Sequence, residues 1–334
     1  MKFFNIFKKN YAIDRLIRRF KRGKDLDFEE YLKLGDYYRE NGFYAKALRV
    51  HLSLDIKKDL TDLQRARLNK SLGLDYLNLY QYKEAIDRFI KADNYYKGED
   101  EETRNGLLKA YEFSGDWDSA CELKKEILIS NKIYSEEKMA RYYLYAAEDL
   151  IKRENHKKAK KFLREALKLM ENINETYYFL AEVEENLIKK LEYYEKISDK
   201  FPYLVYRKLV KLKEKFFEQG KMLELFNFVK KSENTYLKAF LVSLLIQKGE
   251  YEEAKSIIKN LISENDEIFL NIYLLIQSVE LNLEEETLKL VRRIERDLKE
   301  LTFICTSCKK EFKEYRFRCE NCGKTKKLVL KINI

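Results

Sequence analysis

Apolar side chains recur at helical spacing through most of the chain, and short polar segments interrupt them. Leu34, Tyr37 and Tyr38 occupy positions i, i+3 and i+4, and Leu72 and Tyr76 are again four residues apart further along. Residues three and four apart share one face of an α-helix, so the pattern predicts amphipathic helices that bury one side. A single proline in 334 residues is consistent with a chain built mainly from such helices.

The polar segments themselves repeat. Asn41–Ala47, Ser114–Ala120 and Lys248–Ala254 each contain a glycine, an aromatic residue two positions later and an alanine five positions later. Related segments without all three features complete a series of predicted turns at positions 42, 80, 115, 154, 186, 220, 249 and 282. The mean spacing of about 34 residues is the period of the tetratricopeptide repeat.

A 34-residue period predicts an all-α, right-handed superhelical tetratricopeptide solenoid of about eight helix pairs over residues 25–300. The alanine after each turn lets the second helix approach its partner closely, and Gly35 and Gly73 are predicted to serve helix packing rather than turns. Stacked pairs create a concave groove lined by first helices, which we expect to bind protein clients. A bundle of unrelated helices is the alternative, but such a bundle does not require a constant spacing of about 34 residues between turns.

The last segment, residues 301–334, has a different pattern. Cys305, Cys308, Cys319 and Cys322 form the spacing Cys-x2-Cys-x10-Cys-x2-Cys, which predicts a small zinc-ribbon β module with one Zn2+ or Fe ion bound by all four cysteines. Residues 328–332 are predicted to form a closing strand. A module this small has little core, so we expect the ion to supply most of its folding free energy. The fifth cysteine, Cys121, is predicted to be a buried small residue on a second helix.

Residues 1–24 form a basic amphipathic segment with nine Lys or Arg and one Asp. Its apolar stripe from Ile13 to Phe20 has two interpretations, since it can contact lipid or cap the first repeat, and capping is compatible with Phe3 to Phe7 in lipid. The residues predicted to meet an anionic membrane surface are Phe3, Phe4, Phe7, Lys8, Lys9, Arg15, Arg18 and Arg19.

Composition excludes several classes of protein. Side chains are 45% apolar and 37% charged, which argues against disorder, and no uncharged apolar run reaches the ~18 residues of a spanning helix. The absence of a secretory signal predicts a cytosolic chain. The formal charge of +10 is concentrated at the two ends, so we expect no nucleic acid partner. With two histidines, His51 and His156, and no phosphate-binding glycine loop, the sequence predicts no enzyme.

The chain resembles the LapB (YciM) family of lipopolysaccharide assembly proteins. The resemblance is most specific between Gly42 and Phe89 and in the tail, where Tyr315–Cys319 leads into the second cysteine pair. It implies a tetratricopeptide array followed by a rubredoxin-like metal module. Family members usually begin with a transmembrane helix, whereas this sequence begins with the basic, phenylalanine-rich stretch Met1–Lys9.

The resemblance also implies a function: an adaptor on the cytoplasmic face of the inner membrane that helps the protease FtsH control LpxC, the committed enzyme of lipid A synthesis. FtsH and LpxC are the expected partners, and peripheral attachment to that membrane is the expected location. Two alternatives stay open at this point. One is a general tetratricopeptide scaffold for other membrane-associated proteins, and the other is a nucleic-acid binder that uses the basic tail.

Overall fold

A computed structural model describes residues 13–250, 252–254, 256–257, 302–312, 319, 321–323 and 328–331. The first helix, α1, covers residues 13–21. The helices that follow are α2 (Phe28–Glu40), α3 (Tyr44–Asp55), α4 (Asp62–Asn78), α5 (Tyr82–Tyr96), α6 (Glu101–Ser114), α7 (Trp117–Ser130), α8 (Glu136–Lys152), α9 (His156–Leu169), α10 (Asn174–Val183), α11 (Leu187–Glu195), α12 (Pro202–Glu218), α13 (Met222–Lys231) and α14 (Thr235–Lys248). The strands among these described residues are β1 (Thr302–Cys305), β2 (Glu311–Phe312) and β3 (Leu328–Lys331).

From α2 onward the helices form hairpins, and their turns lie where the sequence predicts them. The pairs α2/α3, α4/α5, α6/α7, α8/α9, α10/α11 and α12/α13 turn at positions 42, 80, 115, 154, 186 and 220, and α14 ends at the turn glycine 249. The position at 282 lies outside the described residues. The predicted class, an all-α tetratricopeptide array with a small C-terminal β module, is confirmed.

Most of the first helices end at a residue with a left-handed backbone conformation, even where that residue is not glycine. Gly42, Gly115, Gly220 and Gly249 have φ between 64° and 81°, and at the equivalent positions Tyr80 has φ 60° and Glu154 has φ 59°. The turn at 186 differs, because Asn186 has φ −73° and caps α11 by accepting hydrogen bonds from the N–H groups of Ile188 and Lys189. An amide N-cap therefore replaces the left-handed residue in that repeat.

Replacing Glu154 with glycine should stabilise the fold. Its side chain is exposed, and an L residue at φ 59° is strained, so the variant is expected to raise the free energy of unfolding by about 0.5 kcal/mol after allowing for glycine's larger unfolded-state entropy. Urea denaturation followed by circular dichroism measures the change. Glu154→Ala is the control because it keeps the strain, and a glycine variant less stable than the alanine variant would contradict the prediction.

Small residues bring the paired helices together as expected. The five alanines that follow the turns are buried: Ala47, Ala85, Ala120, Ala159 and Ala254. A Cβ at Gly73 would lie 2.8 Å from the ring of Phe89, and one at Gly35 would overlap the ring of His51. The predicted packing role of both glycines is confirmed. Gly106 has the same role, since its Cβ would lie 2.6 Å from Cζ at the tip of the Phe89 ring, and the sequence reasoning missed it.

The chain divides into two compact units, Met1–Met139 and Ala140–Ile334. In the first unit, α1 packs its apolar stripe against the first repeat. Ile13 and Leu16 are buried in one core with Leu26 and Phe28, and the Phe20 ring meets Tyr31 edge-on at 6.1 Å. Of the two interpretations of this stripe, the structure shows the capping of the first repeat.

In the second unit, the β module is a three-stranded antiparallel sheet with the order β2-β1-β3. Phe303 of β1 pairs with Phe312 on one side and with Leu330 on the other. The predicted closing strand is therefore present as β3.

The unit division falls inside α8, within the predicted repeat region, and the proposed segments 1–24, 25–300 and 301–334 stay predictions. In the described part of the chain, no helix has the length and apolar character needed to cross a membrane.

Candidate metal centre and polar sites

The β module brings the four predicted metal ligands together. Cys305 ends β1, Cys308 follows in the adjoining turn, and all four Sγ atoms lie within 4.8 Å of one another. The separations are 3.7 Å between Cys305 and Cys322 and 3.5 Å between Cys308 and Cys319. A tetrahedron with metal–sulfur bonds of about 2.3 Å has edges of about 3.8 Å, so one ion fits the arrangement. The four cysteines can hold a single metal ion.

Both Cys-x-x-Cys segments share two backbone features. Each is followed directly by a residue with positive φ, 60° at Lys309 and 68° at Gly323. The N–H of Lys309 donates to the carbonyl oxygen of Cys305 at 2.8 Å, and the N–H of Gly323 donates to that of Cys319 at 2.7 Å. The first segment adopts this turn without a glycine. Both thiol pairs are therefore followed by the same kind of tight turn.

Hydrogen bonds to the sulfurs favour their ionised form. The N–H groups of Cys308 and Ser307 lower the pKa of Cys305. The side-chain amide of Asn321 and the N–H of Lys310 lower the pKa of Cys308 to about 6. Thiolates are the form that binds metal, so the backbone prepares the site for an ion. Sequence reasoning assigned no role to Asn321, and the only signal was an amide side chain between the two cysteines of a pair.

First helices of the first unit are joined side by side through ion pairs. Arg67 of α4 holds both carboxylate oxygens of Glu29 of α2 at 2.5 and 2.9 Å. Lys70 of α4 lies 2.6 Å from Glu102 of α6 and 3.2 Å from Asp100, which caps that helix. Charges of both signs thus alternate across these helices. A partner would therefore recognise the shape and the polar groups of this surface rather than an electrostatic potential of a single sign.

A buried polar cluster lies beneath this face, between the first two repeats. His51 and Asp75 are both 0% exposed, and His51 Nδ1 lies 2.5 Å from Asp75 Oδ2. Arg39 donates to the other oxygen of Asp75 at 3.0 Å and also pairs with Asp36. Burial lowers the pKa of Arg39, but the carboxylates of Asp36 and Asp75 outweigh it and raise that pKa above its usual value. His51 Nε2 is buried without a hydrogen-bond partner, 3.8 Å from Asp36 Oδ1.

Sequence reasoning placed His51 on a second helix and gave it no further role. The available signal was its register. His51 lies nine residues after the turn at 42, as Phe89 lies nine residues after the turn at 80. A histidine at the position that the next repeat fills with a buried phenylalanine requires polar partners inside the fold.

The predicted membrane-contact residues fall into three groups. Arg15 and Arg18 are exposed on α1. Arg19 is partly buried, where it pairs with Glu30 and donates to the carbonyl oxygen of Asp25 at 3.1 Å. Five residues lie outside the described part of the chain: Phe3, Phe4, Phe7, Lys8 and Lys9.

Together, the helix hairpins and the four clustered cysteines define a tetratricopeptide-repeat scaffold with a small C-terminal module able to hold a metal ion. No protein-family model matches the chain. It is 28% identical over 253 residues to "TPR repeat-containing protein MJ1428" of Methanocaldococcus jannaschii, which covers 67% of this chain and 44% of the relative.

The resemblance to lipopolysaccharide assembly proteins is confirmed as a weak similarity. The chain is 27% identical over 119 residues to "Lipopolysaccharide assembly protein B" of Escherichia coli K12, over 34% of this chain and 29% of that protein. The chain spans less than half the length of these curated relatives.

Two solved structures are similar as well. A tetratricopeptide repeat protein from Parabacteroides merdae is 18% identical with a TM-score of 0.34, over 75% of this chain and 98% of that one. The apo form of RapI is 15% identical with a TM-score of 0.33, over 82% of this chain and 100% of that one.

Proposed function

We propose that this protein is a non-enzymatic adaptor that regulates lipopolysaccharide synthesis by promoting FtsH-dependent turnover of LpxC. The similarity to lipopolysaccharide assembly protein B carries the proposal, together with the four-cysteine module that the resemblance to that family implies. In this proposal the first helices hold the client protein. Cys305, Cys308, Cys319 and Cys322 bind one Zn2+ or Fe ion, with zinc expected in the purified protein, and the ion holds the β module folded.

The ion-paired first helices suit this role physically. An adaptor must present a client in one orientation, and the pairs Glu29–Arg67 and Lys70–Glu102 each link two neighbouring first helices. A surface with both signs of charge supports modest affinity, which favours release of the client after delivery. The protein would act in the cytoplasm, peripherally on the inner membrane, where local concentration beside a membrane protease replaces a strong direct contact.

Depleting the protein in its own cell should raise LpxC abundance and lipopolysaccharide content, because LpxC would no longer be delivered for degradation. Immunoblots of LpxC after a translation block measure its half-life. The full chain should restore rapid turnover, whereas a variant with Arg67→Glu and Lys70→Glu on the first-helix face should not. A matched control with Lys83→Glu and Lys91→Glu on α5 carries the same charge change on a second helix.

If LpxC half-life and lipopolysaccharide content stayed constant on depletion, the lipopolysaccharide role would fail. The same would follow for the first-helix face if both double variants behaved alike. A general tetratricopeptide scaffold for other membrane-associated partners would then replace the proposal. One observation favours that second candidate: the relative matched over the larger part of this chain is named only for its repeats.

A further inference from the structure

Four basic side chains gather around the end of α1 and the turn that follows it. Arg15 and Arg18 lie three residues apart on α1, Arg22 is the first residue after the helix, and Lys24 follows Gly23, whose φ is 67°. With Arg19 they line a cleft of about 340 Å³. All four are exposed, so their charged groups are free to meet a ligand from solvent.

These four residues lie close together and have no acidic partner, unlike several basic residues of the first repeats that form ion pairs. Arg67 and Arg104 pair with glutamates on neighbouring helices, and Arg19 pairs with Glu30. Within the described residues, no carboxylate forms an ion pair with Arg15, Arg18, Arg22 or Lys24. Asp14 is the single acidic residue among the first 24. Like charges held this close repel one another, and binding a multivalent anion removes the repulsion.

The opposite side of α1 limits how such an anion can bind. Ile13 and Leu16 are buried, and Phe20 packs on Tyr31, so the apolar stripe is not available for insertion into lipid. Binding through this helix must therefore be electrostatic. Nucleic acid fits less well, since no exposed aromatic ring lies among the described residues of the cluster to stack on a base.

We propose that Arg15, Arg18, Arg22 and Lys24 form a binding site for the phosphate headgroups of anionic lipids at a bilayer surface. The position of the cluster supports lipid as the source of the phosphate. The preceding sequence, Met1–Lys9, holds five apolar side chains and three lysines, a composition typical of a membrane-surface segment. The site is independent of the client that the repeats bind, and LpxC abundance does not enter its test.

Vesicle co-sedimentation of the full chain tests the site. The protein should bind vesicles of phosphatidylcholine with about 30% phosphatidylglycerol and not vesicles of phosphatidylcholine alone, and high salt should abolish binding. A variant with Arg15→Gln, Arg18→Gln and Arg22→Gln should lose roughly 100-fold in partition coefficient, at about fivefold for each charge. Its thermal unfolding should match that of the parent because the three side chains are exposed.

A matched control changes three exposed basic residues elsewhere in the first unit: Arg49→Gln, Lys83→Gln and Lys109→Gln. It should bind vesicles like the parent to within about threefold, as expected for screened charges remote from the bilayer. Arg19→Gln provides a second contrast. It should lower the stability of the fold because it breaks the pair with Glu30, and it should lower vesicle binding less than the cluster variant does.

Three results would overturn the proposal. Equal vesicle binding by the cluster and control variants would assign the affinity to another surface, such as the segment before α1. Binding of inositol hexakisphosphate that depends on the cluster, without binding of vesicles, would assign the site to a soluble phosphate. Cluster-dependent binding of a short DNA duplex, again without vesicle binding, would assign it to nucleic acid.

Discussion

Replacing Cys305 with serine should release the metal ion and unfold the β module while leaving the helical repeats folded. One sulfur fewer opens the coordination shell, and structural zinc sites of this type contribute on the order of 10 to 16 kcal/mol to folding. The module has only three short strands to hold it otherwise in its described part. Metal analysis should fall from about one ion per chain to near zero, with the helical melting transition unchanged.

Cys121→Ser is the matched control for the metal site. Cys121 is buried on α7 in the first unit, away in sequence from the four thiols, so the variant should keep its ion. Freshly purified parent protein without metal, or a Cys305→Ser variant that retains a full equivalent, would refute the prediction.

Replacing Asp75 with alanine should destabilise the first two repeats by about 3 to 5 kcal/mol. The change removes the carboxylate that lies between His51 and Arg39. It leaves the fully buried His51 without its hydrogen-bond partner and leaves the half-buried Arg39 with Asp36 as its remaining acidic partner. Urea denaturation followed by circular dichroism, with tyrosine and tryptophan fluorescence as a second probe, measures the loss.

Asp87→Ala removes a carboxylate of the same type from an exposed pair with Lys91 on α5. That control should cost less than about 0.5 kcal/mol because water replaces the lost partner. If Asp75→Ala were as mild as the control, the cluster would not be the buried, mutually dependent unit that its geometry indicates.

The repeat register could be predicted from the sequence because it depends on local chemistry. A turn residue, an aromatic residue and a small residue at fixed offsets act within one hairpin, and the described turns follow them. Tyr80 and Glu154 show that the register also survives where the turn glycine is absent. Asn186 was predicted as a turn position but not as an N-cap, since an amide serves either role.

Long-range partners could not be predicted in the same way. His51 is explained only by Asp75, 24 residues away on the next repeat. The stripe from Ile13 to Phe20 has the same spacing whether it meets lipid or protein, so only packing against Phe28 and Tyr31 decides between them. The four cysteines could be predicted as ligands because their spacing supplies the four sulfurs that one tetrahedral ion needs. The identity of the ion could not be predicted, because the same four sulfurs bind zinc or iron.

Phe89 has a consequence for how the chain can be cut or rearranged. Its ring lies on Gly73 of its own repeat and on Gly106 of the next, so one side chain fills two helix interfaces. A fragment that stops after α5 would remove the packing of the ring tip against Gly106, although it ends at a repeat boundary in sequence. Fragments for crystallisation, or chimaeras with other repeat proteins, should therefore keep α5 and α6 together and place the junction after α7.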